Sequence, residues 1–582
     1  MVASNWAIGA VASPAEQAFP PGRDAASGRR RSLLTRSEYA WHDAVPTLAL
    51  TSAKGRNKRS LRKSRIAPSS EGEGTLITIG ESLKSWAVKA PDALCLADAS
   101  NRLTYAQVNT RVNQAAAALL DLGVRPGDAI AVCARNSIEY MELLHAASKL
   151  NVRIVTLNFW LRAAELRRLA THSDARWLFV DAATLPIVAD DLKGDELDGL
   201  KVLTLHDVPG SDLPDFTGLA ASGDSAEPDV RPNPDAPFWM MYTSGTTGNA
   251  KGVVRSQYRT SACTLYGVVE FGFHREDRFL ALSPFFHGVT FYALMCLMAG
   301  GAVFIRPSFD AGDVLDAIRD DELTCSFMVP TMLGMLNERF EQTGATRGRV
   351  RMLLTGGAPM STSLKERTLA NFGPVLYEFY GSTESGYITA LHPRDQRRKE
   401  RCCGQPAFGS EVEIRDQHGR ALPAGEVGEV FTKCAGRFDE YYKDPERTAQ
   451  ALHGEWFTAG DLGRVDEEGY VYIVDRKTDM IISGGENIYP SEIEDCLHGH
   501  PEIRDCAVIG VPDDLWGESV QAWIVPAHPG RHPSPEDLRA YCAQRIAGFK
   551  CPKTFVFTDE LPRNASGKIL KTDLRRISQK KD

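Results

Sequence analysis

The regular alternation of short apolar strands with amphipathic helices constrains the fold of this chain more than any other feature. The helix after Thr104 shows the pattern clearly: Gln107 follows three residues later, as in a capping box, and apolar residues then recur at spacings of three and four. Strands are predicted at residues 128–133, 153–157, 177–181, 278–282, 302–305, 326–329 and 351–354. This alternation predicts an α/β fold in which helices cover parallel sheets.

The pattern changes after Cys402, and a chain of 582 residues is in any case too long for a single core. Short strands at residues 412–415, 428–432 and 470–474, separated by turns, predict a small β subdomain. Helices at 491–497 and 535–546, with strands at 505–511 and 520–525, predict a separate α+β domain. We therefore expect a large domain over residues 76–475 and a smaller, mobile C-terminal domain over 476–582.

Residues 1–75 differ from the rest, with 12 Lys and Arg against 6 Asp and Glu and little hydrophobic periodicity. We expect this basic extension to be disordered. A transit peptide, a nucleic-acid arm, a solvated tail and a start codon placed too far upstream are alternatives, and we favour the last two. Since the whole chain carries a net charge of −8, the body is acidic and predicts no nucleic-acid partner.

The 12 cysteines are scattered and show no paired metal-ligand spacing, which is typical of a reducing, cytoplasmic protein. No uninterrupted apolar run reaches the roughly 18 residues that a membrane-spanning helix needs. We therefore expect no transmembrane segment. The sequence leaves the oligomeric state open, with a homodimer as one alternative.

A loop rich in glycine and hydroxyl groups carries the strongest chemical signal. It follows an apolar run at residues 238–242 and contains Thr243, Ser244, Gly245, Thr246, Thr247, Gly248, Lys251 and Gly252. The glycines allow tight turns that point N–H groups inward, and four hydroxyls with one ammonium add donors suited to a polyphosphate. The spacing is not that of a Walker loop, and a flexible linker is the alternative interpretation.

This loop resembles the phosphate loop of the adenylate-forming superfamily, which includes acyl-CoA synthetases, peptide-synthetase adenylation domains and beetle luciferases. The resemblance extends from about Leu76 to Arg576, with further motifs in the family's order. It implies that the chain activates a carboxylic acid with ATP.

The resemblance assigns roles to a second motif, which runs from Tyr380 through Gly381 to Glu384. It implies that Glu384 binds Mg²⁺, that Thr383 contacts the α-phosphate and that Tyr380 stacks on adenine. The other face of adenine would be covered by Gly356, Gly357, Ala358 and Pro359. A core aromatic and a helix-start carboxylate are the alternative interpretations of Tyr380 and Glu384.

Further residues match the family one by one. Asp461 would accept from the ribose hydroxyls and Arg476 would add a charged contact, although such residues in loops are usually only solvated. Lys568 would be the catalytic lysine of adenylation, because a fixed cation lowers the cost of bringing two anions together. His287, in an aromatic segment, would lie beside the acid pocket, but a satisfied core histidine is the alternative.

A glycine pair bears on the second half of the reaction. The resemblance implies that Gly484 and Gly485 line the path of the coenzyme A thiol after the small domain rotates. The family's usual pivot, commonly Asp or Lys, is Thr478 in this sequence, which leaves the pivot residue open.

Together these motifs predict an acid–CoA ligase that uses ATP, Mg²⁺ and coenzyme A and forms an acyl-adenylate. Aromatic residues near the predicted pocket favour an apolar acid, either fatty or cyclic/aromatic, over an amino acid; they are Phe285, Phe286, Phe291, Tyr292 and Tyr387. The alternatives are an enzyme that loads a carrier protein and a catalytically inactive nucleotide-binding protein.

Overall fold

The structure is a computed structural model that describes most of the chain from residue 77 onwards. The described residues are 77–189, 192, 196–197, 199–243, 250–484, 486–513, 515–528, 530–563 and 569–579. The predicted basic extension and Leu76 lie outside them. Within the described ranges, no helix combines the length and the apolar character needed to cross a membrane.

A nine-stranded sheet carries much of the predicted alternation. Its order is β16-β15-β14-β13-β12-β10-β11-β1-β2. The six central strands β14, β13, β12, β10, β11 and β1 run parallel, whereas β15, β16 and β2 pair antiparallel with their neighbours. The strands are β1 Leu94–Ala97, β2 Arg102–Thr104, β10 Arg278–Ala281, β11 Ala302–Ile305, β12 Cys325–Phe327, β13 Met352–Thr355, β14 Leu376–Ser382, β15 Gly386–Leu391 and β16 Gln405–Pro406. The four strands predicted between residues 278 and 354 are thus confirmed.

An eight-stranded sheet has the same plan, with order β19-β9-β8-β4-β3-β5-β7-β6. Strands β8, β4, β3, β5 and β7 are parallel, and antiparallel strands close both edges. The strands are β3 Ala129–Cys133, β4 Arg153–Thr156, β5 Ala175–Val180, β6 Glu196–Leu197, β7 Leu200–Thr204, β8 Pro237–Thr243, β9 Lys251–Ser256 and β19 Glu440–Tyr441. Sequence patterns predict the parallel strands at the centre of each sheet. They do not predict the antiparallel edge strands, because these depend on hairpins and, for β19, on a distant segment of the chain.

Helices cover these two sheets, as predicted. Thr104 caps α2 in a capping box with Gln107, and Ser137 caps α3. The apolar face of α2 is buried against the core that the two sheets share. The helices are α1 Ile79–Lys89, α2 Tyr105–Asp121, α3 Ile138–Lys149, α4 Ala163–His172, α5 Leu185–Val188, α6 Phe216–Ala221, α7 Gln257–Phe271, α8 Val289–Met298, α9 Ala311–Arg319, α10 Pro330–Thr343 and α11 Thr362–Phe372.

A third sheet is antiparallel and corresponds to the predicted β subdomain. It consists of β17 Ser410–Arg415, β18 Gly428–Cys434, β20 Leu452–His453, β21 Trp456–Phe457, β22 Asp461–Val465 and β23 Val471–Arg476, with α12 Pro445–Ala451 between β19 and β20. Strand β19 leaves this region to pair with β9 of the eight-stranded sheet. That pairing brings Tyr441 towards the predicted site.

The last part of the chain forms its own sheet and its own apolar cluster. The sheet contains β24 Ile481–Ser483, β25 Glu486–Ile488, β26 Ile503–Asp513, β27 Gly517–Pro526 and β28 Thr554–Phe557, with α13 Pro490–His498, α14 Pro535–Ala543 and α15 Lys571–Gln579. Residues from α13, α14 and the four strands β24 to β27 bury one another, including Ile493, Leu538 and Ile524. The predicted boundary at residues 475–476 falls at the end of β23.

The hairpin of β14 and β15 leaves no space for a side chain at Gly381. A Cβ atom there would lie 1.9 Å from the Gly386 carbonyl oxygen. We expect Gly381→Ala to lower the free energy of unfolding by about 1–3 kcal/mol, because the hairpin must shift. Thermal unfolding of the purified variant is the measurement.

Gly334→Ala is the matched control, since Gly334 lies inside α10 with no atom within 4 Å of the added methyl group. Alanine is the better helix former, so this variant should be as stable as the parent or more stable. Equal melting temperatures for the two variants would contradict the packing described for Gly381.

Candidate active site

The predicted phosphate loop joins two antiparallel strands. Strand β8 ends at Thr243 and β9 begins at Lys251, and these two residues are paired across the hairpin. The strand expected before the loop is therefore present. The loop residues Ser244, Gly245, Thr246, Thr247 and Gly248 lie outside the described residues.

Lys251 is joined to Glu384 through a third residue, Tyr441. The Lys251 ammonium lies 4.8 Å from the centre of the Tyr441 ring, and the Tyr441 hydroxyl donates to Glu384 Oε1 at 2.7 Å. Burial, and then the charge of Glu384, raise the pKa of the Tyr441 phenol well above its ordinary value. The phenol therefore remains a hydrogen-bond donor, and one side chain orients both the cation and the carboxylate.

The backbone around Glu384 is held from two sides. Glu384 lies in the turn between β14 and β15, and its carbonyl accepts from the Phe438 amide at 2.6 Å. The preceding carbonyl, that of Thr383, accepts from Arg255 Nη2 at 2.9 Å. No hydrogen bond from a described residue reaches Glu384 Oε2, so this oxygen is available to a ligand.

A second cluster lies at the other end of the same motif. The Tyr380 hydroxyl donates to Asp461 Oδ2 at 2.6 Å, and Arg476 Nε lies 3.3 Å from Asp461 Oδ1. Asp461 and Arg476 are paired across β22 and β23, which explains why residues 15 apart meet. Burial, and then the charge of Asp461, raise the pKa of Tyr380. The structure thus brings together three residues predicted from separate motifs.

The predicted adenine wall begins where β13 ends. Strand β13 lies beside β14 and its last paired residue, Thr355, is opposite Glu378, so residues 356–359 leave the sheet near the strand that carries Tyr380. A Cβ atom on Gly356 would lie within 2.8 Å of the Phe379 ring and carbonyl, and Gly357 has φ +82°. Gly357, Ala358 and Pro359 are exposed, so this wall is open to a ligand.

His287 lies between β10 and α8 among aromatic side chains. Its ring centre is 4.3 Å from that of Phe286, and its Nε2 atom is buried without a hydrogen-bond partner in the described part of the chain. Burial lowers the pKa of His287 to about 4. The aromatic residues predicted for the surroundings of the pocket are all buried, and of these Phe286 lies beside His287; they are Phe285, Phe286, Phe291, Tyr292 and Tyr387.

The C-terminal candidates are described only in part. Gly484 follows β24 with φ +61°, and a Cβ atom there would lie 2.7 Å from the Trp516 ring. Local geometry alone therefore requires glycine at this position. Gly485 and Lys568 lie outside the described residues, and Thr478 lies between β23 and β24.

Two residues of the site were missed by the sequence analysis. Tyr441 belongs to an aromatic segment that was assigned no role, and Arg255 follows two valines in strand β9. A charged residue directly after two apolar ones was the available signal for Arg255. For Tyr441 no local pattern existed, because its role depends on the pairing of β19 with β9.

Comparison with known proteins identifies the family of this chain and several relatives. The family model described as "AMP-binding enzyme" matches residues 83–442, and the model described as "AMP-binding enzyme C-terminal domain" matches residues 492–568. A feruloyl-CoA synthase of Amycolatopsis sp. is 36% identical, over 85% of this chain and 99% of the relative. A fatty acid–[acyl-carrier-protein] ligase of Streptomyces coeruleorubidus is 35% identical, over 83% of this chain and 93% of the relative.

Solved structures show the same fold. The o-succinylbenzoate CoA synthetase of Bacillus subtilis, in complex with its acyl-adenylate intermediate, superposes with a TM-score of 0.76. It is 29% identical and covers 85% of this chain and 97% of its own. The same synthetase with ATP and a magnesium ion has a TM-score of 0.75 at 30% identity, over 85% of this chain and 98% of its own. This chain belongs to the AMP-binding enzyme family, the adenylate-forming superfamily whose motifs it carries.

Proposed function

We propose that this protein is an ATP-dependent acid–CoA ligase that activates a carboxylic acid as its acyl-adenylate and transfers the acyl group to coenzyme A. The observation that supports the proposal most strongly is the arrangement of side chains on the β14–β15 hairpin. The β14–β15 hairpin holds Tyr380 against Asp461 and Arg476, and Glu384 against Tyr441 and Lys251. A single hairpin thus carries two clusters four residues apart, and we assign the first to the ribose and the second to the phosphates.

The residues fit a magnesium ion held jointly with a substrate. Glu384 offers one free carboxylate oxygen, and the described part of the chain contains no cluster of three or more His, Cys, Asp or Glu residues suited to a metal. Mg²⁺ is commonly bound by one or two carboxylates, substrate phosphates and waters. When bound, the ion would neutralise part of the charge on the phosphates. ATP and magnesium occur together in the related synthetase structure.

In the proposed first step, a carboxylate oxygen of the acid attacks the α-phosphorus of ATP. The bond to pyrophosphate breaks, and the acyl-adenylate remains bound. Thr383 would contact the α-phosphate, Lys251 would face the outer phosphates, and Lys568 would bridge the two anions as they approach each other. Asp461 would accept from the ribose hydroxyls once Tyr380 and Arg476 have oriented it.

In the second step, the sulfur of coenzyme A attacks the acyl carbon. The bond from that carbon to the phosphate oxygen breaks, AMP leaves, and the thiol proton passes to solvent. We assign Gly484 and Gly485 to the thiol path and residues 476–582 to a domain that rotates between the steps. The free cysteines throughout the chain support the proposed cytoplasmic location.

The acid is proposed to be apolar, either fatty or cyclic/aromatic. The buried Phe286 ring beside His287 supports this, as do relatives named for feruloyl and fatty acyl groups. Because its pKa is low, His287 is neutral near pH 7 and would shape the path without adding a positive charge.

One alternative has a specific observation in its favour, the relative that loads an acyl carrier protein. AMP release with free coenzyme A, compared with release in the presence of holo-carrier protein, separates the two activities. An inactive protein would bind ATP and release no pyrophosphate with any acid of a fatty, aryl and alicyclic panel. AMP release with coenzyme A alone establishes the proposed function.

Lys568→Ala tests the division between the two steps. We expect loss of acid-dependent pyrophosphate release on the order of a hundredfold or more, because the bridging cation is gone. Thioester formation from supplied acyl-adenylate should be retained, as measured by release of AMP. Lys201→Ala, at an exposed position of β7, is the control and should leave both rates unchanged. Equal loss of both steps in Lys568→Ala would contradict its assigned role.

Tyr441→Phe tests the link between Lys251 and Glu384. It removes the hydroxyl and keeps the ring, so we expect pyrophosphate release to fall about tenfold and the Mg²⁺ requirement to rise. Tyr442→Phe is the matched control, because its hydroxyl donates to Asp174 outside the site, at 2.7 Å. Steady-state rates across a Mg²⁺ titration provide the measurement. Identical titrations for the two variants would show that Tyr441 does not orient Glu384.

His287→Gln tests the burial of the imidazole. Its folded pKa of about 4 lies below that of the unfolded chain, so the unfolded state binds more protons as pH falls from about 6.5 towards 4. The parent should therefore lose about 2 kcal/mol relative to the variant between pH 7 and pH 5. Urea unfolding at both pH values measures this difference. His418→Gln, at an exposed turn, should show no such change, and a constant difference for His287→Gln would disprove its burial.

A further inference from the structure

Arg255 is a fully buried cation in the strand that follows the phosphate loop. It is 0% exposed, and its neighbours Val253 and Val254 in β9 belong to apolar clusters. Strand periodicity places Arg255 on the same face as Val253 and Lys251. That face of β9 is directed towards the turn that carries Thr383 and Glu384.

The guanidinium of Arg255 is only partly satisfied by its surroundings. Nη2 donates to the Thr383 carbonyl at 2.9 Å, and the guanidinium carbon lies 5.1 Å from the centre of the Phe291 ring. Nε and Nη1 are buried and have no hydrogen-bond partner among the residues that the structure describes. No carboxylate among the described residues forms an ion pair with Arg255. The charge is therefore not compensated by that part of the chain.

Another buried cation of this protein, Lys149, shows one way in which such a charge is compensated. Lys149 donates to Asn109, Asn113 and Glu227, at 2.7, 2.7 and 2.8 Å. Its three donors are all used, and one acceptor is an anion. Lys149 thus serves as an internal comparison for Arg255.

An arginine keeps its charge inside proteins, and an unpaired buried charge is costly to the folded state. An unbranched apolar side chain of similar length would fill the same space without that cost. The fold therefore loses stability by holding Arg255, unless an anion lies nearby when the site is loaded. The turn in contact with Arg255 is the one to which the proposed function assigns the α-phosphate and the metal.

We propose that Arg255 is a positioning residue of the adenylation site and a fixed counter-charge for the triphosphate of ATP. It holds the Thr383 carbonyl, and through it the turn that contains Glu384, and its charge favours anionic phosphates on the far side of that turn. This inference rests on the proposed function. Because Arg255 lies on β9, its charge is in place before any movement of residues 476–582.

Arg255→Met tests the proposal by comparing ligand-free stability with nucleotide binding. We expect the melting temperature of the ligand-free variant to equal or exceed that of the parent, since an unpaired charge has been removed. The rise in melting temperature caused by Mg²⁺–ATP should shrink, and acid-dependent pyrophosphate release should fall about tenfold to a hundredfold. Thioester formation from supplied acyl-adenylate should change less than the first step.

Two conservative variants separate charge from hydrogen bonding. Arg255→Lys keeps the charge and should retain activity within about tenfold of the parent. Arg255→Gln keeps a donor for the Thr383 carbonyl without the charge, and should behave like the Met variant. Full activity in Arg255→Gln would overturn the proposed counter-charge.

Lys149→Met is the matched control, because it removes a buried cation whose partners are in place. It should lower the ligand-free melting temperature and leave turnover unchanged, the reverse of Arg255→Met. A lower melting temperature with unchanged turnover in Arg255→Met would show a purely structural role. A higher KM for the acid alone would instead place Arg255 in the acid pocket and would overturn the proposal.

Failure of the proposed function itself has a different signature. In that case the parent protein would release no pyrophosphate with any acid and would gain no thermal stability from Mg²⁺–ATP, and the inference would fail with it. If the parent protein turns over and the Arg255→Met variant equals it both in turnover and in the rise in melting temperature caused by Mg²⁺–ATP, only the inference about Arg255 is overturned.

Discussion

Two hydrogen bonds from tyrosine hydroxyls to carboxylates organise the proposed active site, and the other groups of the site are arranged around them. Tyr441 donates to Glu384 at 2.7 Å and Tyr380 donates to Asp461 at 2.6 Å. In each pair the phenol is held protonated by burial beside the carboxylate, so it orients a negative charge without cancelling it. Arranged charges of this kind need little reorganisation when a substrate binds.

The cations of the proposed site come from two parts of the chain, and we propose that one of these parts rotates. Lys251 and Arg255 lie on one face of β9, where Lys251 contacts the Tyr441 ring and Arg255 contacts the Thr383 carbonyl. Lys568 belongs to the C-terminal part, to which we assign the rotation. Under this proposal the nucleotide would stay bound to the first two cations while Lys568 alone is delivered and withdrawn, which would give each half-reaction its own arrangement.

Much of the architecture could be predicted from local sequence. The cap at Thr104 and the strands at residues 302–305 and 351–354 follow from side-chain patterns that act over a few residues, and the structure contains them. The antiparallel edges could not be predicted in this way. Strand β19 pairs with β9 although about 185 residues separate them, and strand pairing over such distances leaves no local pattern.

The sequence by itself determined the types of the chemical groups: a hydroxyl-rich loop, a carboxylate in the motif after Tyr380, and an acceptor and a cation at Asp461 and Arg476. Only the tertiary structure decided which groups meet. It placed Tyr441 between Lys251 and Glu384, and buried Arg255 behind Thr383 without an anionic partner in the described chain. The physical reason is that hydrogen bonds and close ion pairs form between atoms a few ångströms apart in space, whereas motifs record only neighbours along the chain.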